Sequence, residues 1–327
     1  VSADSTSQAA VLPPEAARVR GLVSEALFPF DSHFFEIDGL EMHYLDEGPR
    51  DGPVVLMVHG NPSWSFYYRS LVMALRGEYR VIVPCHIGCG MSDKPSKADY
   101  DFTLDRRADD LGRLIDHLGL DTLSLVVHDW GGMIASTWAV ENPDKVERWV
   151  VLNTSAFHLP SGKSAPASLR LARLPGLGAV LVRGLNMFVR GAIRHCVVRS
   201  PMSRDVAAAY TAPYDSWNRR VAVHEFVLDI PLSENHPTWE RVSATARGLT
   251  GLSEVPILIC WGRQDFVFDD DFLAEWLQRF PDAEVHRFEN VGHYVLEDAP
   301  ERVGRLVCEF LDRDWEDVVE SDEAETA

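Results

Sequence analysis

The sequence predicts an α/β fold: a mostly parallel, twisted sheet with helices on both faces and an inserted helical cap. Three observations carry this. Near-continuous apolar runs such as PVVLMVHG at 53–60 alternate with stretches of helical spacing, as buried parallel strands and their crossover helices do. The alternation stops after about Ser155. It resumes at Val255 with VPILICW, so the intervening segment is an insertion between two parts of one sheet. The expected organisation is an N-terminal extension at 1–30, core at 31–155, cap at 156–240, second part of the core at 241–312 and an acidic tail at 313–327.

The elements follow in order. Residues 33–37 and 41–45 flank the turn pair Asp38-Gly39 and read as a leading antiparallel hairpin. Strand 53–60 precedes a helix at 64–75, then a buried strand at 79–84 and a helix at 104–118. The apolar run beginning at Leu123 ends at Asp129, helix 131–141 follows, and Val146 to Leu152 is a further strand. Residues 156–240 hold no buried strand; their helical stretches are punctuated by Pro160, Pro166, Pro175, Pro201, Pro213 and Pro231. Strand 255–261, helix 270–279, strand 284–288 and helix 300–311 complete the core.

Composition removes several function classes. The chain has 327 residues and is 46% hydrophobic, enough for a large core. Its formal net charge of −19 argues against a nucleic-acid partner, which selects a basic face. The five scattered cysteines, Cys85, Cys89, Cys196, Cys260 and Cys308, suit reduced cytoplasmic usage rather than a disulfide framework. Cys85, His86 and Cys89 lack a second ligand pair at finger-like spacing, so no metal is expected. The first twenty residues lack a basic start followed by an apolar core, so no signal peptide is expected. No apolar stretch is long enough to span a bilayer, and no repeats are evident.

The most informative stretch is LSLVVHDWGG at 123–132. Strand, sharp turn and helix make the nucleophile elbow of α/β-hydrolases, whose tip is usually Ser. Here the tip is Asp129. A carboxylate needs no deprotonation to attack and suits an sp3 carbon bearing a leaving group; the plainer alternative is a helix-capping Asp. Three other strand ends converge on the same edge, where ligands of open α/β sheets sit. They carry His59-Gly60-Asn61-Pro62, Gly262-Arg263-Gln264-Asp265 and Gly292-His293-Tyr294. The chain order of nucleophile, acid and His is that of the fold class. Asp129 is the candidate nucleophile, His293 a base able to activate water, and Asp265 the group that orients His293. Backbone N–H groups of Asn61 and Trp130 form a candidate oxyanion hole. Their side-chain N–H groups are candidate donors to a departing anion.

HGNPSWSFYYR at 59–69, VVHDWGG at 126–132, WGRQDFVF at 261–268 and GHYVLEDAPE at 292–301 resemble the haloalkane dehalogenase branch of the α/β-hydrolases, over roughly residues 30–312. The resemblance implies an Asp nucleophile, and halide held by an Asn and by the Trp after the nucleophile; Asn61, Asp129 and Trp130 match. The acid of the triad follows either the strand after the nucleophile or the next core strand beyond the cap. The first position falls near Asn153, which is no acid, so the role goes to Asp265. HIGCGMSDKP at 86–95, LNTSAFHLP at 152–160, APYDSW at 212–217 and HEFVLDIPL at 224–232 resemble, more narrowly, the β-lactone decarboxylases of bacterial long-chain olefin biosynthesis. That resemblance implies conversion of a cis-β-lactone to a cis-alkene and carbon dioxide, without a cofactor and with assembly among other olefin-pathway enzymes. The chain departs from these relatives at Cys85, where they usually carry Asp. Cys cannot replace a carboxylate's acceptors, which puts the rigidity of the following loop in question.

Rival readings are a hydrolytic haloalkane dehalogenase and an epoxide hydrolase. The latter usually has an aromatic residue in place of Asn61 and two cap tyrosines, for which Tyr210 and Tyr214 are candidates with packing as the alternative. A non-enzymatic member usually loses part of the triad, and none of it is missing here. The substrate expected in every enzymatic reading is a hydrophobic small molecule.

The cap's charge is uneven. Lys163, Arg170, Arg173, Arg183, Arg190, Arg194, Arg199 and Arg204 occur without any Asp or Glu among them. Their stems can snorkel over apolar helix faces. The alternative is a docking surface for an acidic partner or an anionic membrane beside a substrate entrance.

Overall fold

The computed structural model describes residues 12–313. The start of the N-terminal extension, and the acidic tail beyond residue 313, lie outside the described residues. Helix α1 (Pro14–Arg20) opens with Pro at its first turn and buries Ala16 and Val19. Strands β1 (His33–Ile37) and β2 (Leu40–Glu47) form the expected hairpin, with Ile37 paired to Leu40 across a turn in which Asp38 and Gly39 both take positive φ. Strand β3 (Val54–Val58) leads through a 3-10 turn at Ser65–Tyr68 into α2 (Arg69–Leu75), so the helix read over 64–75 begins with a tighter turn. Next come β4 (Arg80–Pro84) and α3 (Leu104–His117). The Thr103 hydroxyl caps α3 by accepting from Arg106 N, and Leu104, Ala108, Leu111 and Ile115 bury one stripe of it. Strand β5 (Leu123–Asp129) is buried at every residue and passes directly into α4 (Trp130–Ala139), followed by β6 (Val146–Thr154).

The cap holds α5 (Ala167–Ala172), α6 (Leu177–Ala179), a π-helical turn at Val180–Gly184, α7 (Met187–His195), α8 (Arg204–Thr211) and α9 (Val221–Leu228). Helix α10 (Trp239–Gly248) starts inside the expected cap and runs past its boundary at residue 240. The cap has a small core of its own, with Ala172, Val182, Val189, Tyr214, Val223 and Val227 packed together. The main fold resumes with β7 (Ile257–Gly262), α11 (Asp270–Arg279), β8 (Glu284–Phe288), the short α12 (Val295–Asp298) and α13 (Pro300–Leu311).

The eight strands lie in the order β1-β2-β4-β3-β5-β6-β7-β8. β2 runs antiparallel to both of its neighbours, β1 and β4, and the remaining pairings are parallel. Two large apolar clusters cover the two faces of the sheet. The second includes Ala16, Val19, Phe28 and Phe30; the Phe28 ring meets Phe30 edge-on at 5.0 Å and Trp64 at 5.2 Å. From α1 onward, the segment read as an extension is therefore packed into the core. Among the described residues no helix is long and apolar enough to cross a membrane.

Candidate active site

Asp129 stands where β5 becomes α4, at φ +51° and ψ −128°, a backbone that L residues adopt only under constraint. The constraint is visible in the glycines around it. A Cβ on Gly60 would lie 2.0 Å from Asp129 Oδ1, and one on Gly131 would lie 1.9 Å from the Val58 carbonyl. The Thr154 hydroxyl donates to the Asp129 carbonyl and fixes the turn from β6. Asp129 is buried, and its Oδ1 accepts the Asn61 backbone N–H at 2.5 Å. One carboxylate oxygen thus occupies part of the expected oxyanion hole, and Oδ2 faces His293 Nε2 at 3.6 Å. Burial alone would raise the Asp129 pKa. The facing His293, with the Asn61 N–H, outweighs it and holds the carboxyl below its usual range.

His293 follows β8 and donates through Nδ1 to Asp265 Oδ2 at 2.7 Å, so the two residues expected to pair do so. Burial pulls the imidazolium down, but the charges of Asp265 and Asp129 prevail and raise its pKa to about 10. Asp265 is held in turn. Its Oδ1 accepts from Val267 N at 2.7 Å, and its Oδ2 accepts from Asn153 Nδ2 at 3.0 Å. Asn153 Oδ1 also accepts from Gly262 N at 2.7 Å. The position that lacks an acid therefore still serves the acid on the neighbouring strand, a role that sequence reasoning missed because an amide carries no chemical signature.

The His293 loop is clamped from below. Arg69 grips Glu297 through both guanidinium nitrogens at 2.5 and 2.8 Å. The Asp298 carboxylate accepts from Gly292, Val198 and Arg199 backbone N–H groups, tying this loop to the cap. Behind the site, His128 Nε2 donates to the His293 carbonyl at 2.9 Å. Burial pushes the His128 pKa down to about 3, so this ring is neutral.

Asp129, His293, Asn61 and Trp130 open onto one cavity of about 630 Å³. Its walls include Met133, Phe157, Leu169, Phe188, Val227 and Phe272, which suits a hydrophobic ligand. The Trp130 indole N–H has no protein acceptor among the described residues. Asn61 is partly committed: its Nδ2 donates to the Val223 carbonyl of α9 at 3.1 Å, which leaves one amide hydrogen for a ligand. Tyr210 donates to Glu297 at 2.6 Å and Tyr214 to the Ser63 carbonyl at 3.3 Å. Both are buried in packing, and neither lines the cavity.

The loop after Cys85 is held without a carboxylate at position 85, although the Asp93 carboxylate further along accepts from Glu41 N at 2.9 Å. Ser92 Oγ donates to the Cys85 carbonyl at 2.7 Å and accepts from His43 N at 2.9 Å. The Lys94 ammonium donates to the carbonyls of Cys89, Gly90 and Ser92 at 3.2, 2.8 and 2.6 Å. Cys85 itself sits among Ser65 and His43 as a buried thiol.

The sheet order, the inserted cap and an acid on the elbow define an enzyme class, and residues 53–300 match the alpha/beta hydrolase fold family: the chain belongs to it. Within that family it is 50% identical, over 288 residues, to the cis-3-alkyl-4-alkyloxetan-2-one decarboxylase of Shewanella oneidensis, covering 88% of this chain and 90% of that one. It is 32% identical over 286 residues to haloalkane dehalogenase 2 of Mycobacterium bovis, covering 86% and 96%. Among solved structures, a haloalkane dehalogenase from Bradyrhizobium elkani superposes with a TM-score of 0.78 at 28% identity, covering 86% of this chain and 97% of that one.

Proposed function

We propose that this chain is a cis-3-alkyl-4-alkyloxetan-2-one decarboxylase, converting a cis-β-lactone to a cis-alkene and carbon dioxide. The observation that carries the reading is the placement of Asp129: a carboxylate, with no proton to lose, at the elbow of a deep apolar cavity. The 50% identity to a decarboxylase of that name supports the substrate class.

In the proposed reaction one Asp129 oxygen attacks the ring carbon that bears the lactone oxygen, with inversion. The ring C–O bond breaks and its electron pair leaves on the lactone carboxylate. The Trp130 indole N–H and the uncommitted Asn61 amide hydrogen hold that carboxylate. The bond between the neighbouring ring carbon and the carboxylate then breaks, and its electrons form the alkene. Carbon dioxide departs, and the C–O bond to Asp129 breaks anti to it, which regenerates the carboxylate. Inversion followed by anti loss is overall syn, so a cis-lactone gives a cis-alkene. No net proton and no water is consumed. His293, held as imidazolium by Asp265 and Asp129, balances the charge on the carboxylates and needs no base step here.

The second reading is hydrolytic haloalkane dehalogenation, favoured by the spare Trp130 donor beside Asp129 and by the 32% identity to a dehalogenase. In it, esterification removes the Asp129 charge that helps hold His293 protonated, and the neutral imidazole then activates water to cleave the ester. A side-by-side assay with a cis-β-lactone and a bromoalkane tests the proposal: alkene from the lactone is expected. Bromide release with an inert lactone overturns it.

A further inference from the structure

Exposed large apolar side chains concentrate on one part of the cap. Of the eleven in the described residues, seven lie between Leu171 and Val198. Leu171, Leu174, Leu177, Val180 and Leu185 are each 43–53% exposed, on the mutually packed run of α5, α6, the π-helical turn and α7. Soluble surfaces do not normally gather apolar side chains this way. The patch runs to the mouth of the catalytic cavity, because Met187 is both 52% exposed and a cavity wall.

The same surface is basic. No acidic residue occurs between Glu147 and Asp205. Four of the eight lysine and arginine side chains from Lys163 to Arg204 are occupied: Lys163 pairs with Asp269 and Asp271, Arg173 binds the carbonyls of Val227 and Leu228, Arg183 lies over Trp217, and Arg199 binds the Asp298 carbonyl. Snorkelling and local bonding account for these. Arg170, Arg190, Arg194 and Arg204 are exposed, and their side chains make no hydrogen bond or ion pair among the described residues. Arg170 stands on α5 and Arg190 and Arg194 on α7, the helices that carry the apolar patch.

We infer that this face of the cap docks on an anionic lipid bilayer, with its leucines in the acyl boundary and its free arginines on the headgroups, so that a hydrophobic substrate enters the cavity from the membrane. The charge is complementary to anionic lipid on a chain whose formal net charge is −19, and the apolar residues need a partner that is itself apolar just below a charged surface. An acidic protein would satisfy the arginines and leave the leucines without a matching surface.

Flotation of the full chain with phosphatidylglycerol-rich and pure phosphatidylcholine vesicles tests this. Binding to the anionic vesicles alone, weakening as salt rises, is expected. The triple variant Arg170→Gln, Arg190→Gln, Arg194→Gln is expected to bind about a hundredfold more weakly. Leu171→Ser, Leu174→Ser, Leu177→Ser is expected to lose insertion while keeping turnover of a short, water-soluble substrate, which also shows that it folds. None of these six residues lines the cavity. Absence of vesicle binding, or binding unchanged in both variants, overturns the proposal. So does a wild-type dimer that the leucine variant converts to monomer, because a second copy then covers the face.

Discussion

Asn153 Nδ2 and His293 Nδ1 converge on a single carboxylate oxygen, Asp265 Oδ2, at 3.0 and 2.7 Å. The amide fixes where the acid points, and the acid fixes where the imidazole points. Asn153 takes a positive φ of +28° at the end of β6, so its backbone is also held for this purpose. Asn153→Ala removes one hydrogen bond to a charged group, worth about 1.5–3 kcal/mol. The expected result is a kcat about 10- to 100-fold lower, with KM little changed. Steady-state kinetics beside a thermal melt decide it: a lower melting temperature with kcat intact means that the amide only stabilises the fold.

Trp130 gives a cleaner test of anion binding than Asn61, whose amide also ties the elbow to α9 through Val223. Trp130→Phe keeps a ring against Phe226, 5.4 Å away in the parent, and removes only the unpartnered N–H. Loss of one preorganised donor costs about 2–4 kcal/mol at the step where the anion departs. Single-turnover rates measure that step. Parent-like rates in Trp130→Phe mean that the indole serves only packing.

The buried histidines make stability depend on pH in two opposite ways. His43, His59, His86 and His128 are buried, and burial holds all four pKa values below the usual 6.5, to about 3 for His43 and His128 and about 4 for His59. Below pH 6.5 the unfolded chain takes up protons that the folded chain refuses. Each such group then costs about 1.4 kcal/mol per pH unit. His293 is raised to about 10, so its contribution is fully present below pH 6.5 and fades as pH rises towards 10. Stability is therefore expected to peak near neutrality, fall steeply towards pH 5 and decline gently towards pH 10. Chemical denaturation across pH 5–10 checks this, and a profile flat from 7 down to 5 refutes the acid limb.

Much of the fold was legible in the residues. Helix 270–279, strand 284–288 and helix 300–311 match α11, β8 and α13 because each is bounded by an Asp, Pro or Gly signal and has a regular apolar pattern. The candidate triad was legible because carboxylates and imidazole at strand ends announce their chemistry. Helix α1 was not, since a seven-residue helix that buries only Ala16 and Val19 carries too little periodicity to stand out. Nor was the Lys94 anchor of the loop after Cys85. A lysine in a polar stretch reads as solvated, and only the fold shows its ammonium turned onto three carbonyls.

The last prediction separates the two reactions that Asp129 supports. A dehalogenase must hydrolyse its Asp129 ester by attack at the ester carbonyl, so solvent oxygen enters the Asp129 carboxylate over repeated turnovers. The decarboxylase releases the carboxylate by elimination, with both of its original oxygens. Turnover of a cis-β-lactone in oxygen-18 water is therefore expected to leave the Asp129 peptide unlabelled, with a cis-alkene as product. Asp129→Ala, folded but inactive, is the control that ties turnover to this residue. His293→Ala adds a second arm: in a hydrolytic enzyme it traps an alkyl ester on Asp129, visible as a rise in intact mass, because water is no longer activated. In the decarboxylase, elimination still clears the ester and no adduct accumulates. Heavy labelling of the peptide, with an alcohol or hydroxy acid as product, assigns the chain to hydrolysis and removes the decarboxylase reading.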